Sequence, residues 1–390
     1  MCGSALALAI MLKVTPGQMA GQLTAEFTDP AIAFTQTTTY LFISLTALLL
    51  LVNVIGAVMQ ETGISVRLIP ALYGLLRSRR VALAVMPLIM GMLPTPGGIM
   101  LSAPMVRDMG DSIGVSRTRQ AAINFFFRHQ WESVWPLFPA VPLVQSIFAV
   151  SAFAVLSHNI VIPIFGITGG AIFLLLIGIP PRKKTNLVRP RFGHNLRDFV
   201  HAFWPIAVTA GLYAAFNIPP AVGIFLAIIV LLIMHKVPLS SWRKMFKAAN
   251  EPDMVLLVFA ALFFKFNLQA AGAIPNVVDF LKSMNLPPAC IIFFLPFLVG
   301  FLTGVTMPTV AVTFPFLTAF IGTGEAANMA LATLAFAGVM TGLFLTPVHL
   351  CLPLSAGYFK APITKIIATV LPPTLFVAAA GIIMALIGNC

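Results

Sequence analysis

Charged residues are scarce in this chain. Only 9% of its 390 residues are Asp, Glu, Lys or Arg, and 59% are hydrophobic, whereas a soluble domain carries about 25% charged residues. A surface so poor in charge cannot face water, so lipid must cover much of it. The composition excludes an ordinary soluble protein and predicts a polytopic membrane protein of the all-α class, because helices satisfy their backbone hydrogen bonds within lipid.

Other absences narrow the class of protein further. The four cysteines have no paired spacing, so they predict neither a disulfide framework nor a metal site. The sequence contains no Walker loop and no His-Glu-x-x-His zinc helix, and therefore nothing indicates ATP-driven transport or zinc-dependent catalysis. It also lacks the ladder of basic residues that a voltage sensor needs. We expect no enzymatic activity.

The net charge of +12 does not indicate a nucleic-acid partner. The basic residues lie in short loops between apolar segments, which is the positive-inside pattern of membrane proteins. The loops on the opposite side hold only Lys13 and Lys282. The loops that we predict to be cytoplasmic are 61–80, 107–119, 180–199 and 236–250.

Long apolar segments predict the membrane spans, since a spanning helix needs about 20 apolar residues. Two further apolar regions, 81–106 and 288–320, are interrupted in the middle by Gly, Pro and Thr, and we predict that each is a re-entrant helical hairpin. The short apolar segment 1–12 is interpreted as a short first helix, with a signal peptide as the alternative. The predicted spans are 1–19, 40–60, 120–156, 158–179, 200–216, 219–235, 252–271, 326–354 and 362–388.

The order of these segments occurs twice. Pro308 lies 214 residues after Pro94 at the hairpin tips, and Pro347 lies 211 residues after Pro136, where Pro interrupts a span in each half. A single span, 200–216, connects the halves and so gives them opposite orientations. The sequence thus predicts an inverted structural repeat with two re-entrant hairpins and two broken helices. The predicted repeats are 1–180 (hairpin 81–106, broken helix 120–156) and 219–390 (hairpin 288–320, broken helix 326–354), separated by 181–218, a cytoplasmic basic loop with the connecting helix.

Matched helix interruptions in an inverted repeat indicate a transporter binding site. A helix broken inside a membrane exposes backbone groups that are costly unless they bind something. Helix N-termini favour an anion, whereas carbonyl groups favour Na⁺. The residues that we expect to bind Na⁺, through backbone and side-chain oxygens, are Thr95, Gly97, Thr306 and Thr309. Packing or kinking by the same residues is the alternative. The candidate substrate and ion ligands are Thr95, Pro96, Gly97, Gly98, Ser102, Thr303, Gly304, Thr306, Pro308, Thr309 and Thr313.

Ionisable residues near the two broken helices form a second set of candidates. Glu132 is the one acidic residue in the interior of a predicted span, since Asp253 lies at the very start of 252–271. Glu132 could carry a proton, bind Na⁺ or pair with Arg128 one turn before it. His349 could carry a proton or donate to a substrate, or hold structure. The candidates for coupling or support of the site are Glu132, His129, Trp135, Thr346 and His349.

Three other polar residues within spans receive structural interpretations. Lys265 is predicted to extend its ammonium group to the outer interface, although it could instead face a substrate carboxylate. Asn53 and Asn267 are predicted to connect neighbouring helices by hydrogen bonds. Trp131, like Trp135, could line the cavity or face lipid.

Two local motifs carry a family resemblance. The segment Phe127-Arg128-His129-Gln130-Trp131-Glu132 with Trp135-Pro136-Leu137-Phe138-Pro139, and the segment Thr346-Pro347-Val348-His349-Leu350-Cys351 with Tyr358-Phe359, resemble the prokaryotic membrane family named domain of unknown function 401. The arrangement of hairpins and broken spans also resembles the ion transporter superfamily, which includes divalent-anion/sodium symporters and citrate, gluconate and arsenite permeases. The resemblance covers nearly the whole chain.

The resemblance implies a homodimer in the inner membrane of a prokaryote, with a scaffold and a moving transport domain that work by an elevator motion. Sodium/dicarboxylate members hold their ligands with Ser-Asn-Thr at both tips, whereas the tips here keep threonines without the Ser-Asn pair. We expect a secondary active transporter of a small anion, of the organic carboxylate type, coupled to Na⁺ or H⁺. The alternatives are a Na⁺/H⁺ antiporter without organic substrate and, more remotely, a channel or intramembrane enzyme. Beyond Na⁺ we expect no cofactor.

Overall fold

The computed structural model describes residues 2–30, 32–76, 78–92, 99–179, 192–249 and 251–388. Within these ranges the chain is helical and forms no strand, which confirms the all-α class. The first-half helices are α1 Cys2–Met11, α2 Pro16–Thr28, α3 Thr38–Glu61, α4 Ile64–Leu75, α5 Arg79–Met90, α6 Ile99–Ser112, α7 Arg117–Arg128, α8 Ala140–Phe148, α9 Ala152–Asn159 and α10 Val161–Gly170, the last continued by a π-helical turn, Ala171–Leu176.

A long helix, α11 Phe192–Phe216, connects these elements to the second set. The helices that follow are α12 Pro220–Met234, α13 Leu239–Ala249, α14 Pro252–Ala270, α15 Ala273–Ser283, α16 Pro288–Thr303, α17 Thr306–Ile321, α18 Met329–Leu345, α19 Cys351–Phe359 and α20 Ile363–Gly388.

Five of the described helical segments are long and apolar enough to cross a membrane. They are Thr38–Glu61, Ala152–Leu176, Phe192–Phe216, Pro252–Ala270 and Ile363–Gly388. Helices α12, α16, α17 and α18 are apolar but shorter. The protein is therefore a multi-pass membrane protein by length and composition, as the sequence predicts.

Several predicted segments differ from the observed elements. The apolar segment 1–19 is not one span, because α1 ends at Met11 and Thr15 caps a separate helix that begins at Pro16. The predicted loops 61–80 and 236–250 contain α4 and α13, both helical. In each case a short helix contains polar or basic residues next to an apolar run. Hydropathy alone does not distinguish such a helix from a loop.

Three of the four predicted interruptions coincide with ends of helices. Helix α7 ends at Arg128 and α8 begins at Ala140, while α18 ends at Leu345 and α19 begins at Cys351. Helix α16 ends at Thr303 and α17 begins at Thr306. Helices α5 and α6 of the predicted first hairpin pack together, and the predicted tip residues Thr95, Pro96, Gly97 and Gly98 lie outside the described residues.

The same turns recur in the two halves of the chain. The turn after α1 and the turn after α12 each contain a lysine in the left-handed region, Lys13 with φ 52° and Lys236 with φ 49°. Helices α8 and α19 each end in a left-handed residue, Ala149 and Lys360. Left-handed backbone is unfavourable for residues other than glycine, so its recurrence at matching turns marks similar local structure.

Helix contacts between the halves are reciprocal. Helix α1 packs on α14 while α12 packs on α3, and α2 contacts α14 while α13 contacts α3. Likewise α8 packs on α17 while α19 packs on α6. One hydrophobic core, from Leu41 to Ala385, joins both halves, so neither half buries its apolar surface by itself.

Candidate functional site

The break between α18 and α19 binds the C-terminal end of α16. The Thr346 hydroxyl donates to the carbonyl oxygen of Phe301 at 2.5 Å, and His349 Nδ1 lies 2.5 Å from the carbonyl oxygen of Gly304. Because the last carbonyl groups of a helix have no partner within the helix, these side chains satisfy groups that would otherwise be costly in a membrane.

Gly304 permits this close approach. It has a φ of 65°, and a Cβ there would lie 2.8 Å from the backbone nitrogen of His349. Gly338 and Gly342 bring α18 equally close to α16, since a Cβ at either would overlap the carbonyl oxygen of Phe293 or Phe297. Small residues at i and i+4 allow such backbone packing in membranes.

The break between α7 and α8 binds the C-terminal end of α5 with longer side chains. Arg128 Nη1 donates to the carbonyl oxygen of Met90 at 2.9 Å, and Trp131 Nε1 donates to that of Leu88 at 2.9 Å. A Cβ at Gly91 would overlap the carbonyl oxygen of Arg128. The two breaks therefore play the same part at the ends of the two hairpin helices.

The two breaks meet at a pair of histidines. His129 Nε2 lies 2.9 Å from His349 Nε2, and the two rings are nearly perpendicular, at 86°. His129 Nδ1 lies 2.6 Å from the carbonyl oxygen of Phe125. The Phe125 ring packs on both imidazoles, with centroids 5.0 and 5.6 Å away. Both histidines are buried.

A buried carboxylate adjoins this pair. Glu132 is 6% exposed, and its Oε1 lies 3.8 Å from His129 Nε2. The side chains of Thr306, in the first turn of α17, and Arg128 are both near enough to act on the carboxylate. The negative charge is thus placed at a helix N-terminus and beside a buried guanidinium, both of which stabilise it. We call Arg128, His129, Glu132, Thr306 and His349 the polar cluster.

The hydroxyl groups of the other predicted ligands in α17 form hydrogen bonds with nearby residues of the chain. The Thr309 hydroxyl donates to the carbonyl oxygen of Val305 at 2.8 Å and lies 2.9 Å from the Thr303 hydroxyl. Thr313 donates to the carbonyl oxygen of Thr309. Pro308 lies in the first turn of α17. Proline is tolerated there, because the N–H groups of a first turn form no hydrogen bonds within the helix.

Two other predicted site residues lie outside the polar cluster. The Ser102 hydroxyl lies 2.6 Å from Asn124 Oδ1 and joins α6 to α7. Trp135 packs on Trp131 with ring centroids 6.2 Å apart. The buried Nε1 atom of Trp135 has no hydrogen-bond partner among the described residues.

The prediction that Lys265 reaches the outer interface is wrong. Its side chain is buried, 7% exposed, because α14 packs against α1, α2, α3 and α17. The Glu26 carboxylate acts on it electrostatically and also accepts hydrogen bonds from the backbone and hydroxyl of Thr38, both at 2.6 Å. Glu26, near the C-terminal end of α2, was not among the residues predicted from the sequence, because its contacts are with residues far along the chain.

The predicted asparagine contacts between helices are present. Asn267 donates to the carbonyl oxygen of Ala5 at 3.4 Å, which links α14 to α1. Asn53 lies 3.7 Å from the Met254 sulfur, which links α3 to α14. The first of these contacts lies in one of the reciprocal pairs of helices described above, and the second joins α3 directly to α14.

The histidine pair fits a proton better than a metal ion. His129, His349 and Cys351 offer ligand atoms within 4.8 Å of one another. Two imidazole nitrogens bound to one zinc ion at 2.0–2.1 Å in tetrahedral geometry would lie about 3.3 Å apart, whereas these lie 2.9 Å apart. A distance of 2.9 Å is that of a hydrogen bond between nitrogens.

A cavity of about 350 Å³ lies elsewhere, between α3, α8 and the turn from α11 to α12. Tyr213, Asn217 and Gln145 are among its polar lining residues, and none of the lining residues is charged. The Tyr213 hydroxyl is buried without a hydrogen-bond partner among the described residues. The cavity is thus uncharged, lined mainly by apolar groups with a few polar ones, and separate from the polar cluster.

Comparison with known proteins identifies the family. No curated protein matches the chain. A family model matches residues 18–387, which is nearly the whole chain and includes every residue of the polar cluster. The chain therefore belongs to the DUF401 family, which is described as a family of proteins of unknown function.

Proposed function

We propose that this protein is a secondary active transporter of a small organic anion of the carboxylate type, coupled to a cation. The observation that carries this proposal is that two helix breaks, one from each half of the chain, meet in one buried polar cluster. Buried ionisable groups inside a membrane bundle are costly, and they usually mark substrate or ion paths.

The reciprocal helix contacts support an inverted repeat. Contacts such as α1 on α14 and α12 on α3 would be expected of two similar units related by a two-fold axis. Among the described residues, helix α11 is the one element of spanning length between the units, and a single crossing there would invert the second unit. Substrate sites of such transporters lie at the interface of the repeats near the bilayer midplane.

The hairpins and broken helices supply the proposed binding groups. The N-termini of α6 and α17 and the Arg128 guanidinium would attract the anion. Na⁺ at Thr95, Gly97, Thr306 and Thr309 remains one proposal for the coupling ion, and H⁺ is the other. In an elevator motion, α5–α10 with α16–α20 would move against α1–α4 with α11–α15, and the neutral cavity beside Tyr213 lies between these groups.

The arrangement in the cell follows from the same proposal. The basic loops would face the cytoplasm in the inner membrane of a prokaryote, and two copies of the chain would form a homodimer through the static helices. Chemical cross-linking of the protein in native membranes would test the dimer.

Uptake into liposomes tests the proposal. Purified protein in liposomes is given a panel of ¹⁴C-labelled mono- and dicarboxylates under an inward Na⁺ gradient or an inward H⁺ gradient. At least one anion should accumulate above its external concentration, and Glu132→Gln should reduce this at least tenfold, because the carboxylate lies where the two breaks meet. Asp111→Asn, in an exposed turn, is the matched control. Failure of every anion under both gradients would contradict the proposal.

The buried carboxylate also favours a second candidate, a Na⁺/H⁺ antiporter. Glu132 lies near the side chains of Thr306 and Arg128, and a buried acid can exchange Na⁺ for a proton. Proton flux reported by pyranine in liposomes supplied with Na⁺ alone would favour this candidate over anion symport.

A further inference from the structure

We infer that His129 and His349 together hold one proton more than two neutral imidazoles carry, shared between their Nε2 atoms, and that this is the coupling proton of the transport cycle. The coupling role rests on the proposed function. The proton itself rests only on the geometry of the pair.

The inference follows from a count of protons. Three short contacts line up across the pair: Phe125 oxygen to His129 Nδ1, His129 Nε2 to His349 Nε2, and His349 Nδ1 to Gly304 oxygen, at 2.6, 2.9 and 2.5 Å. Each contact joins two atoms that carry lone pairs, so each needs one hydrogen to be attractive. Two neutral imidazoles supply only two hydrogens.

No neutral tautomer satisfies all three contacts. If both rings are protonated on Nδ1, the two Nε2 lone pairs face each other at 2.9 Å. If either ring is protonated on Nε2, its Nδ1 lone pair faces a carbonyl oxygen that can only accept. A third hydrogen, between the Nε2 atoms, makes all three contacts hydrogen bonds and gives the pair a charge of +1.

The charged groups around the pair explain how this charge is balanced. The carboxylate of Glu132 lies 3.8 Å from His129 Nε2 and offsets the added positive charge. Arg128, the residue before His129, adds a further positive charge nearby. Cys351 of α19 is the third titratable neighbour. At the ends of α16 and α17, the Gly304 carbonyl faces the histidine pair and the Thr306 hydroxyl faces Glu132. Neither of these groups titrates.

The pair joins two separate parts of the chain, and this makes its proton sensitive to conformation. His129 belongs to the break after α7 and His349 to the break after α18, 220 residues later. The proposed elevator motion carries both breaks in the same moving group, so the middle contact is lost only when the two breaks separate locally within that group, and each ring then keeps its Nδ1–H bond to a carbonyl group without the third proton. Separation therefore releases one proton, and contact binds one, which is what coupling requires.

Nuclear magnetic resonance of the nitrogen atoms tests the proton without any substrate. The protein is labelled with ¹⁵N-histidine, reconstituted in lipid and measured from pH 5 to pH 8. His129 and His349 should both be protonated on Nδ1, and their Nε2 signals should show a scalar coupling across the shared hydrogen. Two uncoupled and unprotonated Nε2 atoms at every pH would overturn the inference.

Substitutions assign the signals. His349→Gln keeps an amide that can donate to the Gly304 carbonyl, so α16 remains capped, and the Nε2 coupling should disappear from His129. His158 is the matched control, because its Nδ1 lies 2.9 Å from the carbonyl oxygen of Ala154 in the same i to i−4 contact, but it has no histidine partner in the described part of the chain. His158→Gln should leave the coupled pair unchanged.

Uptake in liposomes tests the coupling role separately. With Na⁺ absent, His129→Gln and His349→Gln should reduce accumulation driven by an H⁺ gradient at least tenfold, and His158→Gln less than twofold. Accumulation driven by Na⁺ and indifferent to the H⁺ gradient would overturn the coupling role while the transporter proposal stands. A coupled Nε2 pair in a protein that transports none of the anions would instead contradict the transporter proposal and leave the proton site in place.

Discussion

The break after α7 and the break after α18 satisfy the same kind of backbone group with different side chains. In the first, Arg128 and Trp131 reach the carbonyl groups of Met90 and Leu88. In the second, Thr346 and His349 reach those of Phe301 and Gly304. Each break therefore caps the first helix of its own hairpin, but the first uses long side chains and a full charge.

Glycine accounts for the difference. Gly342 of α18 lies 211 residues after Trp131, the same interval that separates Pro136 from Pro347. At Gly342 the backbones of α16 and α18 are almost in contact, so a short threonine can bridge the helices. At the matching place in the first half, a tryptophan fills the space and its indole nitrogen makes the bridge. Similar backbone geometry has thus been kept with unlike residues.

The largest expected effect comes from removing the charged bridge. We expect Arg128→Met to destabilise the protein by on the order of 3 kcal/mol, because the Glu132 carboxylate then stays buried without its cation. Thr346→Val removes only a neutral donor and should cost about 1–2 kcal/mol. The measurement is the midpoint of thermal unfolding in detergent, followed by tryptophan fluorescence.

A second substitution identifies the cause of that loss. Adding Glu132→Gln to Arg128→Met removes the uncompensated charge, and it should recover part of the lost stability. Equal midpoints for Arg128→Met and Thr346→Val would mean that the charge of the first break is without consequence for folding.

Much of the fold was accessible from the sequence. Proline and glycine within apolar runs marked the ends of α7, α16 and α18, because these residues weaken helices. Pro87, Pro296 and Pro315 nevertheless lie inside helices, so a proline alone does not decide where a helix ends. The second half of the chain could be aligned to the first by Pro136 and Pro347 alone. Short amphipathic helices such as α13 were missed, since a run of eleven residues with several charges resembles a loop in hydropathy.

The site was accessible only in part. His129, Glu132, Thr306 and His349 of the polar cluster were all among the residues predicted from the sequence, because ionisable or polar residues beside a helix break are conspicuous in an apolar sequence. Their mutual contacts were not, since the 220 residues between the histidines leave no local pattern. The burial of Lys265 was also unpredictable, because it depends on which helices enclose α14.

An intermediate effect is expected where the second break approaches α16. Gly304→Ala should cost about 2–3 kcal/mol, because left-handed backbone is unfavourable for alanine and its Cβ would meet the backbone of His349. Gly211→Ala is the matched control, since nothing lies within 4 Å of a Cβ there, and its unfolding midpoint should not fall. If Gly304→Ala is as stable as this control, the close approach of α16 to His349 is not needed.

The smallest effect is expected at the turns that connect each hairpin to its broken helix. In the first half, Asp111 lies 2.8 Å from Arg117 and accepts a hydrogen bond from Gln120. In the second half, Asn328 caps α18 by accepting from the backbone of Ala330 and Leu331. One turn is held by charge and the other by a neutral cap, so only the first should depend on pH.

Asp111→Asn should cost less than about 1 kcal/mol at pH 7, because the ion pair is exposed. The Gln120 hydrogen bond and the nearby Arg117 and Arg107 hold the pKa of the Asp111 carboxyl below its ordinary value. A carboxyl with a lowered pKa stabilises the folded state above its unfolded pKa of about 3.9, and it loses that contribution as the pH falls further. The difference in unfolding midpoint between wild type and Asp111→Asn should therefore stay constant from pH 7 to about pH 4 and close below that. Asn328→Ala loses a helix cap worth about 1 kcal/mol, so its unfolding midpoint should lie below that of the wild type by the same amount at every pH. If the loss in midpoint of Asp111→Asn instead grew on acidification, the Asp111 carboxylate would be destabilising its turn.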